Sequence, residues 1–246
     1  MLGMLHKRKM PYLYIVMRKK HFFHENSLMA DVIDTNPSLL SFLERNHIGL
    51  GFGDSTVQEV CDRHGMSSSL ILAICNIYTF PDFIPDAGAL SGEDLEHILY
   101  FLKESHRNYE ENLLPALHEC IHKMAEQCTS ANKAIVNKFF DQYDAETRRH
   151  FQHEEQVVFP YVEALAAGRT KGDFRIADFA ETHEGATEKL EDFRNILLKY
   201  LPEACGGPER YQVLSALYLI SEDLRCHAIV ENRLMVPLAM QMEETV

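Results

Sequence analysis

The feature that most constrains this chain is a repeated arrangement of polar residues inside apolar helical stripes. HFQHEEQVVFP (150–160) and HAIVENRLMVP (227–237) both follow the spacing H-x3-E-x5-P. Apolar residues flank each at three- and four-residue intervals: Val136, Phe140, Tyr143 and Thr147 before His150, and Leu217, Ile220 and Leu224 before His227. That period belongs to one face of an α-helix, so His150, Glu154, His227 and Glu231 are predicted to point into a core. Glu155, rotated roughly 100° onward, is expected to face solvent, and His153 lies at the stripe's edge. Two further stripes carry one histidine each. The first runs Leu99, Leu102, His106, Tyr109, Leu113, Leu117, and the third Ile176, Ala180, His183, Thr187, Leu190, Leu197.

The histidines recur regularly, with the interval from His106 to His150 equal to that from His183 to His227. A duplicated helical hairpin follows, each half giving one lone histidine and one H-x3-E pair. Burying four imidazoles and two carboxylates together costs more than packing returns unless a cation offsets it. We therefore expect a metal site built from His106, His150, Glu154, His183, His227 and Glu231. Imidazole and carboxylate without thiolate suits iron, with manganese or zinc as substitutes. The natural assignment is two iron ions, each held by two imidazoles, with Glu154 and Glu231 bridging. Tyr109 and Tyr143 are candidates for supporting groups around the ligands.

The rest of the sequence frames this site. Residues 1–24 read as a basic, disordered tail, with an alternative start near Met17, and residues 25–77 as a small helical N-terminal domain. The loop TFPDFIPDAGALSGED, with its three prolines, marks a linker over 78–92. From 93 to 246 four long helical stretches are expected, with breaks near QCTSAN, AAGRTKGD and PEACGGPE and no strand. The fold class is all-α: an antiparallel up-down-up-down four-helix bundle behind a small helical domain. Asn36-Pro37 and Ser67 should begin helices, and His64-Gly65 should end one.

Composition removes several function classes. A formal charge of −13 opposes nucleic-acid binding, which needs basic surface. STVQEVCDRHG and MSSSLILAICN could form a helix-turn-helix, but the second segment has no Lys or Arg to reach phosphates. Docking or homodimer formation suits that region better. No apolar run approaches the roughly 18 residues of a membrane span. Six scattered cysteines without a CxxC pair read as reduced thiols in a cytoplasmic protein. HECIH (118–122) matches the zinc-protease pattern, but its histidines fall off the core stripe and are expected to be solvated.

Through SHRNYEENLLP, HFQHEEQVVFP, ETHEGA and HAIVENRLMVP, residues 93–242 resemble the hemerythrin HHE cation-binding domain. The run NPSLLSFLERNHIGLGFGDSTVQEVCDRHGM resembles the N-terminal domain of the iron-sulfur cluster repair di-iron proteins. The resemblance implies a non-haem di-iron centre on the six residues that periodicity selects. It also implies repair of iron-sulfur clusters damaged by oxidative or nitrosative stress, with iron-sulfur proteins as partners and chemistry on O2 or NO. Two departures stand out: Gly51 and Phe52 occupy the place of that family's Cys pair, and Thr182 stands where a glutamate is expected. The alternatives are a non-catalytic O2 or NO sensor or carrier, and iron storage.

Overall fold

The computed structural model describes residues 22–169, 174–182 and 186–244. The expected basic tail thus falls almost wholly outside the described residues. Its last residues are tied down, because Asn76 both accepts from the Phe23 amide (2.8 Å) and donates to its carbonyl (3.2 Å). The described residues form helices joined by turns; their one β-type pairing is an isolated bridge between Leu28 and Thr56. No described helix is long and apolar enough to cross a membrane.

Four short helices come first: α1 (Met29–Thr35), α2 (Leu39–Arg45), α3 (Val57–His64) and α4 (Ser68–Thr79). Their limits follow from local chemistry. Thr56 and Glu59 form a reciprocal capping box at the start of α3, and Gly65 closes that helix with φ of 64°, which glycine adopts without a Cβ clash. The Ser67 hydroxyl accepts from the Leu70 amide to open α4, as the sequence predicts. Asn36 acts slightly differently from the expected cap. Its side chain accepts from the Ser38 amide, and α2 begins one residue later, so Pro37 precedes the helix. Helix α4 is buried over most of its length and lies against the longer helices. It is a core helix, not one presented for a DNA groove.

The helices that follow are α5 (Gly92–Asn108), α6 (Leu114–Ala125), α7 (Ser130–His153), α8 (Phe159–Ala166), α9 (Ile176–Thr182), α10 (Ala186–Asn195), α11 (Gly207–Val230) and α12 (Val236–Glu243). Helix α6 packs on α7 and α11, α10 packs on the same two, and α12 packs on α8 and α9. Helices α2 and α4 rest on α5 and α11 respectively.

Four π-turns interrupt these stretches: Tyr109–Leu113, Glu154–Val158, Ile196–Tyr200 and Glu231–Met235. Each closes with a bond five residues back, from Leu114, Phe159, Leu201 and Val236 to the first residue of its turn. The next residue is in every case a proline: Pro115, Pro160, Pro202 or Pro237. Proline lacks the N–H and collides with the carbonyl four residues earlier. Widening the turn just ahead of it absorbs that conflict, and the helix continues past Pro115, Pro160 and Pro237, while at Pro202 it ends. The x5-P interval is therefore the imprint of a π-turn that opens on the glutamate. The wider turn also shifts the apolar register. Leu113, predicted inward, is only partly buried, and Leu114 takes its place in the core.

Two apolar clusters result. One joins residues of α1–α4 to α5, α8 and α12; the other fills the space among α6, α7, α10 and the first part of α11. One expectation fails here. Cys128 and Cys205 are not free thiols but form a disulfide, their Cα atoms 4.4 Å apart. The turn before α7 and the turn before α11 meet at one end of the helices, which sequence separation conceals. Cys61, Cys75, Cys120 and Cys226 remain free. Closing a loop over a separation of 77 residues constrains the unfolded chain. Cys205→Ala is expected to lower stability by about 2–4 kcal/mol in urea unfolding. Added reductant should weaken the wild type and leave the variant unchanged.

Candidate metal centre

The site lies where the two apolar clusters meet. His106 comes from the last turn of α5, His150 from the last turn of α7, and His227 from the last turn of α11. Glu154 and Glu231 are the first residues of the π-turns that continue α7 and α11. His106, Glu154, Glu231 and His227 are all buried, the two carboxylates completely. His150 is less enclosed, with 34% of its side chain exposed.

The donor atoms converge. His106 Nε2 lies 3.1 Å from Glu154 Oε2 and 3.3 Å from His227 Nε2. His150 Nε2 is 2.9 Å from Glu154 Oε1, and His227 Nε2 is 3.8 Å from Glu231 Oε2. His106, Glu154 and His227 form the group among the described residues whose ligand atoms all lie within 4.8 Å of one another. Two imidazole nitrogens aimed at each other across 3.3 Å, beside buried carboxylates, suit a shared cation. The nitrogen and oxygen donors fit a first-row metal such as iron. Of the six residues predicted from the sequence, five are placed around this point, and His183 lies outside the described residues.

Charge balance follows from the same contacts. Burial by itself would lower the His106 pKa, but its bonds to Glu154 and Glu155, reinforced by carboxylate charge, raise it to about 9. Burial opposes ionisation of Glu154, yet the bonds from His106 and His150 prevail and hold it well below the usual carboxylate range. His227 is driven the other way, first by burial and then by the neighbouring His106 charge, so it stays neutral. The pair His106–Glu154 is ionic, with a proton where a metal would bind.

Glu155 faces solvent as expected and makes one contact that the sequence does not announce. It is exposed over 45% of its side chain, yet its Oε1 sits 3.1 Å from His106 Nδ1. From the π-turn that begins at Glu154, the long side chain reaches across to α5. A carboxylate on the rear nitrogen fixes the imidazole ring and increases its basicity toward a metal. The phenyl ring of Phe151 stacks on His106 at 4.1 Å, and Phe159 follows at 5.4 Å. Tyr109 is buried against His227 and Phe151, with ring centroids 6.0 and 5.5 Å away. Tyr143 instead packs on Phe140. His153 is exposed, pointing away from a ligand role. His118 and His122 are exposed as predicted, near Asp141 and Glu126 respectively.

Residues 97–241 match the family model described as the hemerythrin HHE cation binding domain. The chain belongs to the hemerythrin HHE family. No curated protein and no solved structure gives a match. Within this HHE domain lie His106, Glu154 and His227, and the π-turns that present the carboxylates fall inside it as well. Sequence periodicity finds the inward histidines. It misses Glu155 and the aromatic walls, because both depend on which helices become neighbours.

Metal binding requires a neutral His106 Nε2, and that nitrogen carries a proton below about pH 9. Metal uptake at pH 7 should therefore release about one proton per chain from His106. Affinity should rise roughly tenfold per pH unit from 7 toward 9 and level off above it. Calorimetry in buffers of different ionisation enthalpy measures the proton count, and a pH-independent affinity would contradict this charge assignment.

Proposed function

We propose that this chain is a non-haem di-iron protein of the hemerythrin-like repair type, reacting with O2 or NO. His106, His150, His183 and His227 would supply the imidazoles, and Glu154 and Glu231 the bridging carboxylates. They would be presented by an antiparallel up-down-up-down four-helix bundle spanning 93–246. The observation that carries the reading is the buried meeting of His106 Nε2 with His227 Nε2 at 3.3 Å and with Glu154 Oε2 at 3.1 Å. Bound iron supplies an electron-rich centre able to take up a small diatomic ligand.

The chain's own residues set the conditions for that chemistry. Glu155 holds His106 from behind, while Phe151 and Phe159 keep water from its ring faces. His227 is held neutral by burial, as a metal donor must be. The partly exposed His150 marks the side on which a small molecule reaches the site. Supply of iron to damaged iron-sulfur clusters is part of this reading. Gly51 and Phe52 leave the N-terminal helices without paired thiols, so that role would rest on the metal centre.

Anaerobic iron loading should give two irons per chain, and His150→Ala or Glu154→Ala should lose most of them. Exposure of the loaded protein to O2 or NO, followed by product analysis, distinguishes the outcomes. Reduced products formed over several turnovers support the enzymatic reading. A stable adduct without product would replace it with a sensor or carrier, and one tightly held iron per chain would overturn the dinuclear assignment.

A further inference from the structure

The N-terminal helices contribute a charged side chain to the wall of this site. Arg45, at the end of α2, is buried, and its Nη1 and Nη2 each donate to one oxygen of Asp223 at 2.8 Å. Tyr78, near the end of α4, donates to Asp223 Oδ1 at 2.7 Å and accepts from Arg45 Nη2 at 3.0 Å. Tyr109 donates to the other oxygen, Oδ2, at 2.5 Å. A single carboxylate thus gathers two guanidinium donors and two phenols from three other parts of the chain. The bidentate fork fixes direction as well as distance.

Asp223 stands four residues before His227 on α11, one turn away on the same face. Tyr109, clamped by its hydroxyl, lies edge-on to His227 and stacks on Phe151, which stacks on His106. Arg45 reaches the same region by a second route. Its guanidinium sits 5.2 Å from the centre of the Phe101 ring, and that ring is 6.5 Å from His227. His106 and His227 therefore both lean on groups that Arg45 holds in place.

We propose that Arg45 is a positioning residue for the metal centre: through Asp223 and Tyr109 it fixes the orientation of His227 and His106, so that the N-terminal helices help set the ligand geometry. This rests on the metal-binding reading above. Groups behind metal ligands, when removed, typically weaken metal affinity 10–100-fold. The interaction is long-range in sequence and joins α2 to α11 directly.

The test uses the full chain, freed of metal and titrated with cobalt(II), whose visible absorption reports ligand geometry. Tyr109→Phe keeps the ring and removes only the bond to Asp223; Arg45→Lys keeps the charge and loses the fork. Both are expected to retain helical circular dichroism, to bind cobalt about tenfold more weakly, and to show altered bands. Val60→Ala, a core truncation in α3 away from the clamp, should lower the melting temperature and leave affinity and bands as in the wild type. If Arg45→Lys does not fold, Tyr109→Phe decides. Wild-type spectrum and affinity in these variants would overturn the proposal, as would an equal change in Val60→Ala. A wild type that takes up no cobalt would instead remove the metal reading beneath it.

Discussion

The rest of the structure depends on the confinement of two fully buried carboxylates among imidazoles, in a layer that separates two apolar clusters. Leaving one member of such a buried ionic pair without its partner costs roughly 3–5 kcal/mol, so the donors must be placed together or not at all. Several features of the helices serve that placement. The turns that carry these side chains lie within the helical stretches, between the two apolar clusters. The carboxylates occupy the first positions of π-turns, where the helix widens and a side chain can be directed differently from its neighbours on a regular helix. Prolines two residues past each turn keep the widening at that level.

Electrostatics and packing act in concert around the donors. Glu154 and Glu155 together keep His106 protonated well above the ordinary histidine range, while burial and the His106 charge keep His227 neutral. The asymmetry gives the cluster an internal ion pair in place of two repelling imidazolium rings. The stacked rings of Phe151 and Phe159 cover His106. Behind this layer, Asp223 collects Arg45, Tyr78 and Tyr109, so this half-buried carboxylate is compensated by the protein's own guanidinium and phenols. The two sites lie one helical turn apart on α11, one compensated by a guanidinium fork and the other built for a metal.

Much of this was legible in one sequence. The alternation of His and Glu on apolar stripes placed His106, His150, Glu154, His227 and Glu231 inward, because a 3.6-residue period leaves little choice of face. The caps at Ser67 and Gly65 were equally readable, since they depend on residues adjacent in the chain. What escaped were contacts between distant segments. Glu155 faces solvent as its place on the helix predicts, but its reach to His106 depends on how α7 and α5 pack. Cys128 and Cys205 read as thiols in the sequence because nothing local announces that two turns meet. Arg45 and Asp223 gave no sign of each other across the length of the chain.

By itself the sequence determined the helical class, the faces and the chemistry of the donors, because periodicity and residue type are local and each helix forms its face before meeting a partner. Only the tertiary structure decided which imidazoles face which carboxylate, which carboxylate braces His106 from behind, and which cation from the N-terminal helices backs His227. Those are distances between segments far apart in sequence. They are set by helix packing and by the demand that buried charge be matched, and no single stretch of residues contains that information.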